Sequence, residues 1–226
     1  MTTSNANAPG STDRTRVRRL PERAVSDVAA LHRVLDAALI AHVAVSDADG
    51  QPYVIPVAFA RRGDEVVFHG STGSRLFRSL ADGQPTCLTV TLLDGLVLAR
   101  SAFESSMNYR SAMVVGVAHR LSGDDELDAL RTITEHLLPG RWQDCRQPNA
   151  KERAATMTLA MSLDECSVKI RTGGPEDVPE DVTDPVYAHV WAGTVPLSES
   201  FGMPQPSDES LPGTPVPAYV SAWTRT

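Results

Sequence analysis

Cysteine is scarce in this chain: Cys87, Cys145 and Cys166 are three among 226 residues, with no CxxC pair between them. That excludes a disulfide framework and a zinc knuckle. No His/Cys/Asp/Glu spacing matches a metal-ligand pattern, so no metal site is expected. Long apolar runs are also missing. None approaches the roughly 20 residues of a membrane helix. The Thr/Ser/Asn-rich start has no apolar core of the kind a signal peptide carries. A cytoplasmic protein without a membrane partner is therefore expected. Positive charge is in deficit, with 21 Lys and Arg against 28 Asp and Glu and a net charge of -7. A duplex nucleic-acid binder would need a basic face, so no nucleic-acid partner is expected.

What is present is the material for one sizeable core with two appendages. Residues 1–21 are polar and carry Arg14, Arg16, Arg18 and Arg19, and are expected to form a flexible basic arm. Ser26 predicts the N-cap of a helix reaching Leu39, with Val28, Leu31, Leu35 and Leu39 on one face. Strands are predicted at 41–46 and 53–60, joined by Asp47-Ala48-Asp49-Gly50, and at 65–69. Further strands are predicted at 86–92 and 96–101, either side of a turn at Asp94-Gly95, and at 112–121. A helix over 124–138 and strands at 156–163 and 167–171 follow. A parallel sheet would need a helix after nearly every strand, and those helices are missing. The expectation is a mostly β domain over residues 22–197: a six-stranded antiparallel barrel with flanking helices. Pro, Ser and Gly dominate residues 198–226, an expected extended tail.

The chemistry concentrates in Val66-Val67-Phe68-His69-Gly70-Ser71-Thr72-Gly73-Ser74-Arg75-Leu76-Phe77. A buried strand runs into a polar turn, and an Arg opens the next helix. Hydroxyls, glycine-freed backbone N–H groups and a guanidinium suit a phosphate. His69 would face whatever that phosphate carries.

Five strings in order extend the pattern: Gln51-Pro52-Tyr53-Val54-Ile55-Pro56-Val57; Phe68-His69-Gly70-Ser71 with Ser74-Arg75; Thr89 to Phe103; Ser106-Met107-Asn108-Tyr109-Arg110-Ser111; and Lys169 to Gly173 with Trp191-Ala192-Gly193. Together they resemble the pyridoxamine 5'-phosphate oxidase-like, FMN-binding split-barrel proteins, closest to the Nim-type nitroimidazole-resistance branch. The resemblance spans residues 22–197. It implies a homodimer with FMN in the cleft between two barrels. The phosphate would lie on Gly70, Ser71, Ser74 and Arg75, and the ring edge on Tyr53, Val54, Ile55 and Val57. Asn108, Tyr109, Arg110 and Trp191 would close the site from the partner. His69 and Tyr109 are the candidate catalytic groups. FAD, a deazaflavin or haem are the alternative cofactors.

The implied activity is flavin-dependent oxidation or reduction of a small planar electron-poor molecule. A non-enzymatic flavin- or haem-binding store, sensor or accessory protein is the alternative, as is a specialised biosynthetic enzyme on the same fold. True pyridoxamine phosphate oxidases have a second basic residue after the phosphate-binding Arg, and here it is Leu76. They also carry a C-terminal Arg-x-His, which is missing near Trp191. Vitamin B6 oxidation is not expected.

Overall fold

Alternation of apolar residues builds the barrel wall. In β1 (Ile40–Ser46), Ala41, Val43 and Val45 are buried while Ile40, His42 and Ser46 are exposed. In chain order, β2 (Pro52–Arg62), β3 (Glu65–Ser71), β4 (Pro85–Leu98) and β5 (Ser106–Val117) follow. The remaining strands are β6 (His119–Arg120), β7 (Thr156–Ser162), β8 (Cys166–Arg171) and β9 (Gly193–Pro196). The helices are α1 (Val28–Ala37), α2 (Arg75–Ala81), α3 (Gly123–Leu137), α4 (Arg141–Asp144), α5 (Ala150–Ala155), α6 (Pro179–Thr183) and α7 (Ala218–Ser221). This computed structural model describes residues 7–47, 49–211 and 213–223. Residues 1–6 of the expected arm, Ala48 of the expected turn, and Pro212 and residues 224–226 of the expected tail lie outside the described residues.

The strand order is β6-β7-β3-β2-β1-β4-β5-β8, with β9 added on β4 and every pairing antiparallel. β5 ends at one side of this order, and one residue later the chain enters β6 at the other side. The β7–β8 connection spans the same gap, with the Val115 amide donating to the Glu165 carbonyl. The sheet thus closes on itself as a split barrel.

The interior holds Val43, Phe59, Phe68, Leu88, Val114 and Leu159 together with Leu31 and Leu35 of α1 and Phe77 and Leu80 of α2. A second cluster lies outside the wall, where Ala60, Val67 and Ala160 pack against Leu121 and the Ala129 and Ile133 side chains of α3. β3 is therefore covered on both faces, Phe68 pointing inward and Val67 outward.

The expected barrel is present, with nine strands rather than six. The strands expected at 86–92 and 96–101 are one strand, β4, and Asp94-Gly95 is a bulge between Leu93 and Gly95, not a turn. The cause lies far away in sequence. β9 crosses β4 so closely there that a Cβ on Gly95 would stand 2.8 Å from the Val195 carbonyl oxygen. The α1 cap is Asp27 rather than Ser26, its carboxylate accepting from the Ala29 amide at 2.9 Å.

Described residues of the expected arm lie along β8. The Gly10 amide donates to the Cys166 carbonyl at 2.7 Å, and Ala24 bridges to Lys169. In the tail, the Tyr219 hydroxyl donates to Asp144 Oδ2 at 2.6 Å, and the Phe201 and Trp223 rings meet edge-on. No described helix is long and apolar enough to cross a membrane. Among the described residues no cluster of His, Cys, Asp and Glu could hold a metal ion.

Candidate functional site

The mouth of the barrel is formed where β1 and β2 run past the wall toward their hairpin, and α2 closes it from the side. A cavity of 210 Å3 opens there, lined by Val45, Ser46, Asp47, Tyr53, Ile55, Ser74, Arg75, Leu76 and Ser79. Tyr53 and Ile55 share the inward face of β2 with Val57 and Phe59, but they stand above the packed interior. Arg75 is the first residue of α2 and is exposed. Its guanidinium lies 4.1 Å from the centroid of the Tyr53 ring, a cation–π contact. Among the described residues Arg75 makes no salt bridge, although the Asp47 carboxylate in the same cavity lies near enough to feel its charge. The Ser74 side chain makes no capping hydrogen bond and is likewise uncommitted.

Tyr53 is held from behind. Its hydroxyl donates to Asp47 Oδ2 at 3.0 Å, while Asp47 Oδ1 accepts from the Gln51 and Asp49 amides at 2.9 and 3.0 Å. The Gln51 amide above all, then the Tyr53 hydroxyl and the Asp49 amide, hold the Asp47 carboxyl below its ordinary range, with the Arg75 charge adding to them. Asp47 thus stays ionised and fixes the ring beneath the guanidinium.

Gly70 has a packing reason. A Cβ there would overlap the Phe77 ring, at 2.2 Å, so only glycine lets α2 settle against the end of β3. The Thr72 hydroxyl donates locally, whereas Ser71 Oγ only accepts and keeps its O–H free to donate. Ser71 Oγ accepts from the Gly73 amide at 3.1 Å, and Thr72 Oγ1 donates to the Ala155 carbonyl at 3.3 Å. Of the residues expected around a phosphate, Ser74 and Arg75 line the cavity and Gly70 and Ser71 shape the turn beside it. Val54 points outward and is exposed, and Val57 is buried in the core.

His69 does not line this cavity. It follows Phe68 on β3, so it faces the α3 side of the wall, as Val67 does. The ring is half-buried, with Nδ1 buried and without a hydrogen-bond partner, and burial lowers its pKa, keeping the imidazole neutral near pH 7.

Asn108, Tyr109 and Arg110 sit at the other end of the barrel wall, where β4 and β5 continue as a ribbon beyond β1. β1 ends beside Thr86, and Asp94 lies eight residues further along β4, roughly 26 Å at about 3.3 Å per residue. There Arg110 is clamped by Asp94, with Nη2 to Oδ1 at 2.7 Å and Nε to Oδ2 at 2.9 Å. Asn108 accepts from Arg171 Nη1 at 2.6 Å and donates to the Gly173 carbonyl at 3.0 Å. Tyr109 stands opposite Arg171. Trp191 is 63% exposed and folds over Gly193 at the start of β9. The fold of the chain therefore does not bring the two groups of candidates together.

Sequence reasoning missed Val45, Ser46, Asp47, Leu76 and Ser79 in the cavity and Asp94 as the partner of Arg110. Asp47 and Asp94 both sit in Asp/Gly-rich strings that read as turns, and their acceptor roles appear only once strands are paired.

A family model described as pyridoxamine 5'-phosphate oxidase matches residues 27–170. The flavocytochrome Anf3 from Azotobacter vinelandii is 40% identical, with a TM-score of 0.86 over 95% of this chain and 97% of that one. The FAD and heme binding protein from Mycobacterium smegmatis is also 40% identical, with a TM-score of 0.82 over 88% of this chain and 95% of that one. A candidate 5-nitroimidazole antibiotic resistance protein from Bacteroides thetaiotaomicron shares the fold at 20% identity, with a TM-score of 0.56 over 65% of this chain and 86% of that one. No curated protein matches the chain.

Proposed function

The chain belongs to the pyridoxamine 5'-phosphate oxidase family, and on that premise we propose that it is a redox protein holding a flavin nucleotide at Tyr53, Ser74 and Arg75 and a haem on His69. The observation that carries the flavin reading is the exposed Arg75 guanidinium, stacked on Tyr53 in a cavity and making no salt bridge among the described residues. A phosphate would give the guanidinium the directly hydrogen-bonded anion it does not have, with the Ser74 hydroxyl as a second donor. The FAD and heme binding protein, 40% identical, favours FAD over the FMN that the sequence motifs suggest.

For haem, the fitting group is His69: its Nδ1 is buried without a partner while Nε2 keeps contact with solvent. A neutral imidazole with one outward nitrogen is a metal ligand by chemistry. When bound, flavin supplies two-electron and haem one-electron transfer. This chain's residues anchor the phosphate, hold the Tyr53 ring through Asp47 and present one imidazole nitrogen. The acceptor proposed is a small planar electron-poor molecule. Vitamin B6 oxidation is not proposed, since Leu76, buried in the core, stands where a second cation would be needed.

The site is proposed to be completed by a second copy of the chain. Ligand pockets commonly enclose about 300–1,000 Å3, and the mouth cavity encloses 210 Å3, so one protomer covers only part of a flavin. A face for the second copy is at hand. The cross-strand rows Pro56–His42–Thr89–Met113 and Val54–Ala44–Cys87–Val115 lie on the outer wall and contain no Asp, Glu, Lys or Arg, with Arg14 of the arm bordering the second row. In a chain that is 22% charged, such a face suits burial against itself.

The purified protein is expected to show both flavin bands and a Soret band, and mass analysis would identify the flavin. Arg75→Ala should weaken flavin binding tenfold or more and keep the Soret band, while His69→Gln should do the reverse. A colourless protein with no affinity for FAD, FMN or hemin would overturn the proposal.

A further inference from the structure

His69 and Thr158 stand directly opposite each other in the antiparallel β3–β7 pair, so their side chains leave the sheet on one face. That face packs against α3, among Val67, Leu121, Ala129, Ile133 and Ala160. Thr158 is fully buried there, and its Oγ1 has no hydrogen-bond partner. His69 Nδ1 is buried and unpartnered as well. As the two side chains stand they do not bond each other either, and two orphaned polar atoms on one rung of an apolar cluster are costly until one turns to meet the other. A hydroxyl can accept the N–H of a neutral imidazole.

The neighbouring polar groups are committed elsewhere. The Thr156 hydroxyl donates to the Glu152 carbonyl at 2.9 Å, and the Thr158 carbonyl accepts from the Leu121 amide at 2.9 Å. Glu126, in the first turn of α3, is held by Arg153 at 2.9 Å. Thr158 Oγ1 is thus the uncommitted acceptor on the rung of His69.

We propose that Thr158 is a positioning residue for His69: a turn of its side chain lets Oγ1 accept the Nδ1–H, which fixes the tautomer whose lone pair lies on the outward Nε2. A ligating imidazole needs that arrangement, with the lone pair on one nitrogen and the other N–H held by a second group. Use of the lone pair on haem iron rests on the function proposed above, whereas the tautomer does not.

The test is nitrogen NMR of the full-length, cofactor-free protein labelled with 15N-histidine, with His69→Gln identifying the resonance. The wild type should show the Nδ1–H tautomer. Thr158→Val, close in shape but without the hydroxyl, should shift the population at least fivefold toward Nε2–H, and Thr158→Ser should restore it. Hemin titration of the same proteins should show weaker binding in Thr158→Val and recovery in Thr158→Ser. An unchanged tautomer in a folded Thr158→Val, or an Nε2–H tautomer in the wild type, would overturn the inference. If the tautomer responds and none of the proteins binds hemin, the positioning role stands and the haem reading falls.

Discussion

Arg75 at the mouth of the barrel and Arg110 at the root of the β4–β5 ribbon look alike in sequence, each in a short polar string typical of a ligand site. Their surroundings differ. Arg75 rests on an aromatic ring and makes no salt bridge among the described residues, the nearby Asp47 carboxylate being taken up by the Tyr53 hydroxyl and two amides. Arg110 is gripped at two points by Asp94, which raises its pKa further. The first is a cation available to a ligand, and the second is a strut that ties β5 to the bulge in β4. An arginine's role follows from whether the fold has already given it an anion.

The largest expected effect is at the mouth. Gly70→Ala would drive a methyl into the Phe77 ring and should destabilise the protein by about 1–3 kcal/mol, read as a lowered denaturant midpoint. Next, the two arginines should give opposite phenotypes. Arg75→Ala should lower flavin affinity tenfold or more, about 1.4 kcal/mol, with the melting temperature unchanged. Asp94→Asn should cost about 1 kcal/mol, roughly 2–4 °C, with the flavin affinity of Arg75 retained. The same phenotype from both would break the comparison.

The smallest effect concerns a histidine away from both ends. Burial first, and the Arg61 charge second, hold the His32 pKa below its ordinary value, against the opposing charges of Asp36, Asp64 and Asp27. The unfolded chain therefore takes up that proton more readily than the folded one. Stability should be fully present above about pH 6.5 and fall as the pH drops toward the lowered value. His32→Gln should flatten that fall in denaturation curves taken between about pH 7 and about pH 5.

The barrel was largely legible because alternation marks strands whatever their partners are. The apolar stretches read as strands at 41–46, 65–69 and 86–92 do carry inward residues, among them Val43, Val45, Phe68 and Leu88. The helix at Arg75–Ala81 was legible from Ser74 and its apolar face. Asp94-Gly95 was not, because the same two residues suit a turn and a bulge, and the choice is made by β9 some hundred residues later. β9 itself is four residues long and is defined only by pairing with β4. In the site, Tyr53, Ser74 and Arg75 were legible as a set. The side of the wall on which His69 lies follows from the parity of β3, and the helix covering that side comes from residues far along the chain.

The closure of the barrel also sets a timetable for synthesis. β3 finds its second neighbour in β7, with Val67 paired to Ala160, 93 positions later, and β5 waits for β8. A chain emerging from the ribosome has made the Arg75 mouth well before it can shut the wall. Until Arg171 is free, β3 and β5 present open edges, the surfaces by which nascent chains adhere to one another. Contacts of such sequence separation form slowly. The seam at β7 and β8 is thus the last part to be sealed, and a chain cut before it would carry Tyr53, Ser74 and Arg75 on a sheet that cannot close.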